Sequence, residues 1–328
     1  MRRFWRVSGT VLIFSALYIA TTAQESTGTV VAYINGQWFD GTRFAPRTMW
    51  VSNDRFVNRP NRVDSTVDLA GGYVVPPFGE AHNHNVEPSP VFDALVRRYL
   101  RAGVFYVQDP NNLPRGRNEL VGRVNTRESI DVTFSNGGLT GPEGHPKEIA
   151  DRNITRGAWT AADGDGGFFY TVADRPQLDR AWTKLRSTRP DFVKAYLLYS
   201  DEYAARLSDA ATAGWRGLDP RLLPDVVRLA HAANLRVVVH VESAADFHTA
   251  VEAGVDQIAH IPGFRGDERM QLPDPSRFAI SRADARAAAR RQIAVITTLA
   301  GLAEVKDVMF RESLSRLLKA NLTVLARQ

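Results

Sequence analysis

Five side chains in this sequence have the types and spacing to hold metal ions: His82, His84, Lys194, His240 and His260. His82 and His84 are two positions apart, so on an extended strand both imidazoles face the same way. Two neutral imidazoles on one face can ligate one divalent cation. The competing reading is a pair of solvated loop histidines, because His-x-His also arises by chance. The other three candidates weigh against chance. Lys194 lies inside an apolar run, residues 192–198 (FVKAYLL), and His240 and His260 close the runs 235–241 (LRVVVHV) and 256–261 (DQIAHI). A buried lysine or histidine is more often structural than chemical. Four strands carrying such candidates at or near their C-terminal ends are hard to explain that way. His145, in Gly141-Pro142-Glu143-Gly144-His145-Pro146, is a candidate for facing a substrate. Tyr196 shares the strand face of Lys194 by alternation and is a candidate pocket residue.

The elements that must position these groups alternate between strand and helix from residue 72 onward, which predicts βα units and a parallel sheet. Strands are expected at 73–82, 103–107, 131–134, 192–198, 235–241, 256–261 and 294–298. Helices are expected at 89–101, 176–186, 220–234, 243–253, 281–291 and 312–327. Asp219 with Pro220 opens one helix, and Gly254 closes another. Residues 140–175, rich in Gly and Asp, read as one long loop. Within it Asp163-Gly164-Asp165-Gly166-Gly167 lacks the spacing of a calcium loop and reads as a flexible turn. Seven parallel strands joined by helices approach a TIM-like (β/α) barrel, whose strand ends converge on one mouth. No G-x-G-x-x-G follows the first strand, which disfavours a dinucleotide fold. Upstream, residues 29–70 read as a compact antiparallel β-unit, with a hairpin turn at Asn35-Gly36.

The chain has 328 residues, 44% of them hydrophobic, which is enough for a large core. It has no cysteine, which removes disulfides, thiol nucleophiles and Cys-type zinc sites. Arg2, Arg3 and Arg6 precede an apolar run at 11–20 and the small residues Thr21-Thr22-Ala23. That layout predicts a secretory signal peptide over residues 1–23, cleavage near Ala23, and export. The domains expected are then a β portion at 24–71 and a barrel at 72–328. The formal charge is +5, and the three N-terminal arginines account for three of it, leaving +2. No clustered basic stripe points to nucleic acid.

His82-x-His84, Lys194, His240 and His260, in that order, resemble the metal-dependent amidohydrolase superfamily. The segment from Gly72 to His84 is similar to that family's Pro-Gly-x-x-Asp-x-His-x-His motif, with Pro77-Phe78-Gly79 and Glu80 departing slightly from it. The resemblance spans nearly all of residues 29–328. It implies a TIM-like barrel with a small N-terminal β-sandwich half-domain. It also implies two divalent metal ions, zinc first, with manganese, iron or nickel as alternatives. His82 and His84 would hold one ion and His240 and His260 the other, bridged by a carboxylated Lys194. In that reading Lys194, His240 and His260 serve catalysis, and His145 and Tyr196 contact substrate. The family also places an aspartate at the end of an eighth strand. No residue here matches it, and the expectation is a barrel lacking strand eight. The implied activity is hydrolysis of carbon–nitrogen bonds in amides, cyclic amides or peptide-like small molecules. Two alternatives are a truncated relative that only binds metal or ligand, and a sugar-active barrel using Glu242. The sequence leaves homo-oligomerisation open.

Overall fold

A computed structural model describes residues 28–263, 275–299 and 308–328. The candidate export signal lies outside them. The chain divides into two compact units between Pro76 and Pro77.

The first unit is a five-stranded sheet. Its strands are β1 (Val30–Phe39), β2 (Phe44–Ser52), β3 (Arg55–Val57), β4 (Ser65–Asp68) and β5 (Tyr73–Val74). The order is β3-β2-β1-β4, with β5 also on β1. The sheet is mixed rather than antiparallel, because β4 and β5 both run parallel to β1. The predicted hairpin at Asn35-Gly36 is instead a bulge inside β1, where the register to β2 shifts and Asn35 takes φ 56°. Asn tolerates that left-handed conformation, so the strand kinks without ending. The actual hairpin turn follows β1, where the Asp40 side chain accepts from the amides of Thr42 and Arg43, each at 3.0 Å.

The second unit is built from parallel strands with intervening helices. Its elements, in order, are β6 (Phe78–Glu80), α1 (Phe92–Arg101), β7 (Val104–Asp109), α2 (Pro114–Glu119), β8 (Asp131–Phe134) and β9 (Gly138–Thr140). Then come α3 (Lys147–Thr155), β10 (Phe169–Thr171), α4 (Arg175–Ser187), β11 (Val193–Tyr196), α5 (Tyr203–Ser208), α6 (Leu223–Ala232) and β12 (Val237–His240). The series closes with α7 (Ala244–Ala253), β13 (Gln257–Ala259), α8 (Arg282–Arg290), β14 (Ala294–Ile296) and α9 (Val308–Ala326). One sheet has the order β6-β7-β8 and the other β10-β9-β11-β12-β13-β14, and every pairing in both is parallel. The predicted third strand, 131–134, is β8 with the bounds expected, and a further short strand, β9, follows it. After Ser135-Asn136-Gly137 the chain leaves one sheet and enters the other as β9.

The predicted first strand, 73–82, is broken. Tyr73–Val74 belongs to the first unit's sheet, and only Phe78–Glu80 pairs with β7. Pro76 and Pro77 lack backbone N–H groups and cannot sustain a ladder, so the strand divides there. Residues 140–175 are not one loop, since they contain α3 and β10. Asp163 in this region is buried, paired with Arg115 at 2.6 Å, and engaged in a capping box with Thr160, so the Asp-Gly run is an anchored turn.

Helix boundaries follow their caps. Asp174 accepts from Gln177 N ahead of α4, and Ser243 accepts from Asp246 N in a capping box ahead of α7. Gly254 closes α7 at φ 74°, a conformation that glycine adopts without strain. The main core is the layer between β9, β11, β12 and β13 and helices α4, α6, α7 and α8. All four residues of β12 and all four of β11 are buried, Lys194 among them, as strands covered on both faces should be.

Candidate metal centre

Register across the six-stranded sheet aligns the candidates. Tyr196 pairs with His240, His240 with Ala259, and Ala259 with Ile296, so His240 and His260 differ in level by a single residue. Two residues earlier on β11, Lys194 pairs with Gly138 of β9. A Cβ on Gly138 would stand 2.5 Å from Tyr196 Cε2 and 3.0 Å from Lys194 Cγ, so this glycine makes the space the two side chains use. His82 and His84 lie just past β6 in an irregular segment, not on the strand. Asn83 N donates to Gln108 O at 3.1 Å, and Gln108 Nε2 donates to Ala81 O at 3.1 Å and to Gln257 Oε1 at 3.0 Å. These bonds hold the histidine pair against β7 and against the far sheet.

His82, His84, His145, Lys194, Tyr196, His240 and His260 all line one cavity of about 1420 Å³. His82 packs at a tilt against His260 with centroids 4.5 Å apart, and His260 meets His240 edge to face at 4.8 Å. His145 lies 5.2 Å from His240 and 5.1 Å from Tyr196, ring to ring. His82 Nε2 and His84 Nε2 stand 3.1 Å apart. That is close to the ~3.3 Å between two nitrogens on one tetrahedral zinc with bonds near 2.0 Å. His145 is buried rather than a solvated loop residue, and its Nδ1 lies 2.6 Å from Glu148 Oε1.

Several imidazoles have an outer partner that fixes the ring. His84 Nδ1 faces Asp109 Oδ1 at 3.6 Å, His240 Nε2 faces Glu242 Oε1 at 3.1 Å, and His260 Nδ1 faces Thr298 Oγ1 at 2.7 Å. Holding the second ring nitrogen in this way is characteristic of metal-ligating histidines. Glu242 is fully buried against His240, so it serves the imidazole and is not placed as the exposed acid of a sugar-active barrel. Asp109, Thr298 and Glu148 were not legible as site residues. Asp109 ends an apolar run (VFYVQD) and could have been flagged as an acid at a strand end, whereas the other two carry no local signal. His231 and His248 pair with Asp256 and Asp284 away from the cavity lining.

The electrostatics favour neutral donors. Burial pushes the Lys194 ammonium down to about 7, so much of it is free amine at neutral pH. Burial, then the charges of Lys194, His260 and His84, hold His82 far below the ordinary imidazole range, which leaves it a neutral ligand nitrogen. Its Nδ1 is buried with no hydrogen-bond partner among the described residues. Burial raises the Asp109 carboxyl against the opposing pull of His84.

Among the described residues no three His, Asp or Glu side chains form a ready-made metal cage, because the rings pack against one another instead of aiming at one point. Four imidazoles, three with a carboxylate or hydroxyl behind them, and a lysine held near its neutral form suit divalent metal.

No family model matches the chain, and no curated protein matches it in sequence. Solved structures do. An amidohydrolase superposes with a TM-score of 0.62 at 18% identity, over 91% of this chain and 76% of its own. Ochratoxinase of A. niger gives 0.63 at 13% identity, over 90% and 72%. A Xaa-Pro dipeptidase with methionine bound in its active site gives 0.61 at 13%, over 89% and 75%. The chain shares its fold with these solved structures.

Proposed function

We propose that this protein is a metal-dependent hydrolase of carbon–nitrogen bonds in amides, cyclic amides or peptide-like small molecules. The observation that carries this reading is that His82, His84, His240, His260 and the buried Lys194 line one cavity. The prolidases and other hydrolases among the structural neighbours support it. We read the two parallel sheets of the second unit as parts of one (β/α) barrel with the site at its C-terminal mouth. His82 and His84 would hold one divalent ion, His240 and His260 a second, and a carboxylated Lys194 would bridge them, with zinc the first choice for this donor set. When bound, the metals supply Lewis-acid polarisation of the scissile carbonyl and acidify water.

The protein's own groups prepare that chemistry. Burial keeps the Lys194 amine available for reaction with carbon dioxide. Glu242, Thr298 and Asp109 orient the His240, His260 and His84 rings. Glu148 accepts from His145 Nδ1 and turns that ring toward the cavity beside Tyr196, where the two can position a substrate oxygen.

The test combines metal analysis, the intact mass of the protein, and turnover of a panel of N-acyl amino acids, dipeptides and cyclic amides. Two metals per chain, a lysine carrying the mass of one carbon dioxide, and hydrolysis of an amide are expected. An unmodified Lys194 with a single metal would sink the dinuclear reading. Full metal loading with no amide turned over would instead define a binding protein. The basic and apolar start of the chain also leads us to propose export, checked by sequencing the mature N-terminus.

A further inference from the structure

Helix α3 turns one stripe toward the cavity. Ile149, Asn153 and Arg156 succeed one another at the spacing of a single helix face, and all three line the cavity together with Trp159 and Phe168. Arg156 is the C-cap residue of α3, and its Nη2 donates to Asn153 Oδ1. Asn153 is buried. Its Nδ2 donates to Ile149 O at 2.8 Å, and its carbonyl accepts from Ala158 N and Trp159 N at 2.9 and 3.2 Å. The guanidinium is thus tethered by a fixed residue and leans back toward the start of the helix, as long helical side chains do. Among the described residues Arg156 forms no ion pair, and most of its N–H groups are unspent. Beside it Trp159 packs on Phe168 with centroids 4.7 Å apart, backed by Leu113 and Ala150.

An arginine with spare donors next to an aromatic wall complements a planar carboxylate adjoining an apolar group. Building on the amide-hydrolase reading above, we propose that Arg156 binds a free carboxylate of the substrate, with Trp159 and Phe168 taking the apolar side chain beside it. The preferred substrates are then N-acyl amino acids or dipeptides that end in an aromatic or large aliphatic residue. The competing role for Arg156 is a solvated cation closing the C-terminus of α3.

The experiment is calorimetric binding of N-acetyl-L-phenylalanine and of its carboxamide to the full, metal-loaded chain, in wild type, Arg156→Gln and Trp159→Ala. A charge-assisted contact at a partly exposed site corresponds to about a 10-fold preference of wild type for the acid. Arg156→Gln is expected to remove that preference by weakening the acid alone, and Trp159→Ala to weaken both ligands alike. An acid preference that survives Arg156→Gln places the carboxylate elsewhere and overturns the proposal. Equal binding of acid and carboxamide by wild type, or binding of neither, also overturns it. Turnover separates the two readings. Carboxylate-selective binding without hydrolysis of any amide refutes the hydrolase and leaves the subsite standing. Hydrolysis without carboxylate preference refutes the subsite alone.

Discussion

Replacing Asp246 with Asn should destabilise this protein far more than a typical single substitution does. Asp246 is fully buried at the first turn of α7. Its Oδ1 accepts from Ser200 N at 2.7 Å and from Ser200 Oγ, and its Oδ2 accepts from Tyr199 N, Glu242 N and Ser243 N at 2.9, 3.0 and 2.8 Å. One carboxylate therefore ties the segment leaving β11, which carries Lys194 and Tyr196, to the segment leaving β12, which carries His240. An amide presents N–H groups in place of one oxygen. In its better orientation it confronts the two Ser200 donors, of which the hydroxyl can rotate to accept and the backbone N–H cannot. The three bonds on the remaining oxygen survive but lose their charge assistance. Charged hydrogen bonds contribute about 1.5–3 kcal/mol each and an orphaned buried donor costs about 1–3 kcal/mol, so the loss is about 3–5 kcal/mol. For a domain of this size that corresponds to a fall in Tm of about 6–15 °C, read by calorimetry or thermal circular dichroism. Ser243→Ala, which removes only the Asp246 N to Ser243 Oγ bond at 3.1 Å, provides the internal scale at about 1 kcal/mol. A drop below about 2 °C for Asp246→Asn, or one no larger than that of Ser243→Ala, would refute the reasoning.

Three further outcomes are expected. Gly138→Ala should impair metal loading and turnover more than folding, because the new methyl group meets Tyr196 and Lys194 side-chain atoms, at an overpacking cost of about 1–3 kcal/mol. Metal content and Tm measured together check it, and unchanged metal content counts against the assigned space. Glu242→Gln should weaken metal affinity about 10- to 100-fold by loosening His240, as measured by chelator competition, and no change would show that Glu242 does not orient the ring. Arg115→Met should destabilise by about 1 kcal/mol or less near neutral pH, since Arg115 is half exposed. Burial raises the Asp163 carboxyl, but Arg115 and Thr160 outweigh it and leave it below the usual range. A carboxyl lowered in the folded state stabilises above its unfolded pKa of about 3.9 and loses that contribution as pH falls through the folded value. The gap between wild type and Arg115→Met in urea titrations should therefore close on acidification, and a gap constant down to the lowest pH at which both fold would contradict the pairing.

The sequence by itself determined the alternation of parallel strands and helices, because β-branched runs, capping residues such as Ser243 and Asp174, and the closing Gly254 act over a few neighbouring positions. It also brought forward His82, His84, Lys194, His240 and His260, since a lysine or histidine inside or ending an apolar run stands out without a structure. Where a local signal was ambiguous, the reading failed. Asn35-Gly36 fits a turn and a bulge equally well, and only the pairing of β1 with β2 chose the bulge. The Gly- and Asp-rich surroundings of α3 hid the helix, which is held by tertiary contacts such as the burial of Ala150 beside Phe168 and Phe169. Pro76 and Pro77 announced the break in the first strand, but pairing partners decided which piece joined which sheet. Only the tertiary structure set Asp109 behind His84 and Thr298 behind His260, pairs separated by tens of residues. It alone swung Arg156 and Trp159 into the same cavity as the histidines. Periodicity records which face of an element is buried. It says nothing of which distant element lies against that face, and the partners of a buried polar group come from there.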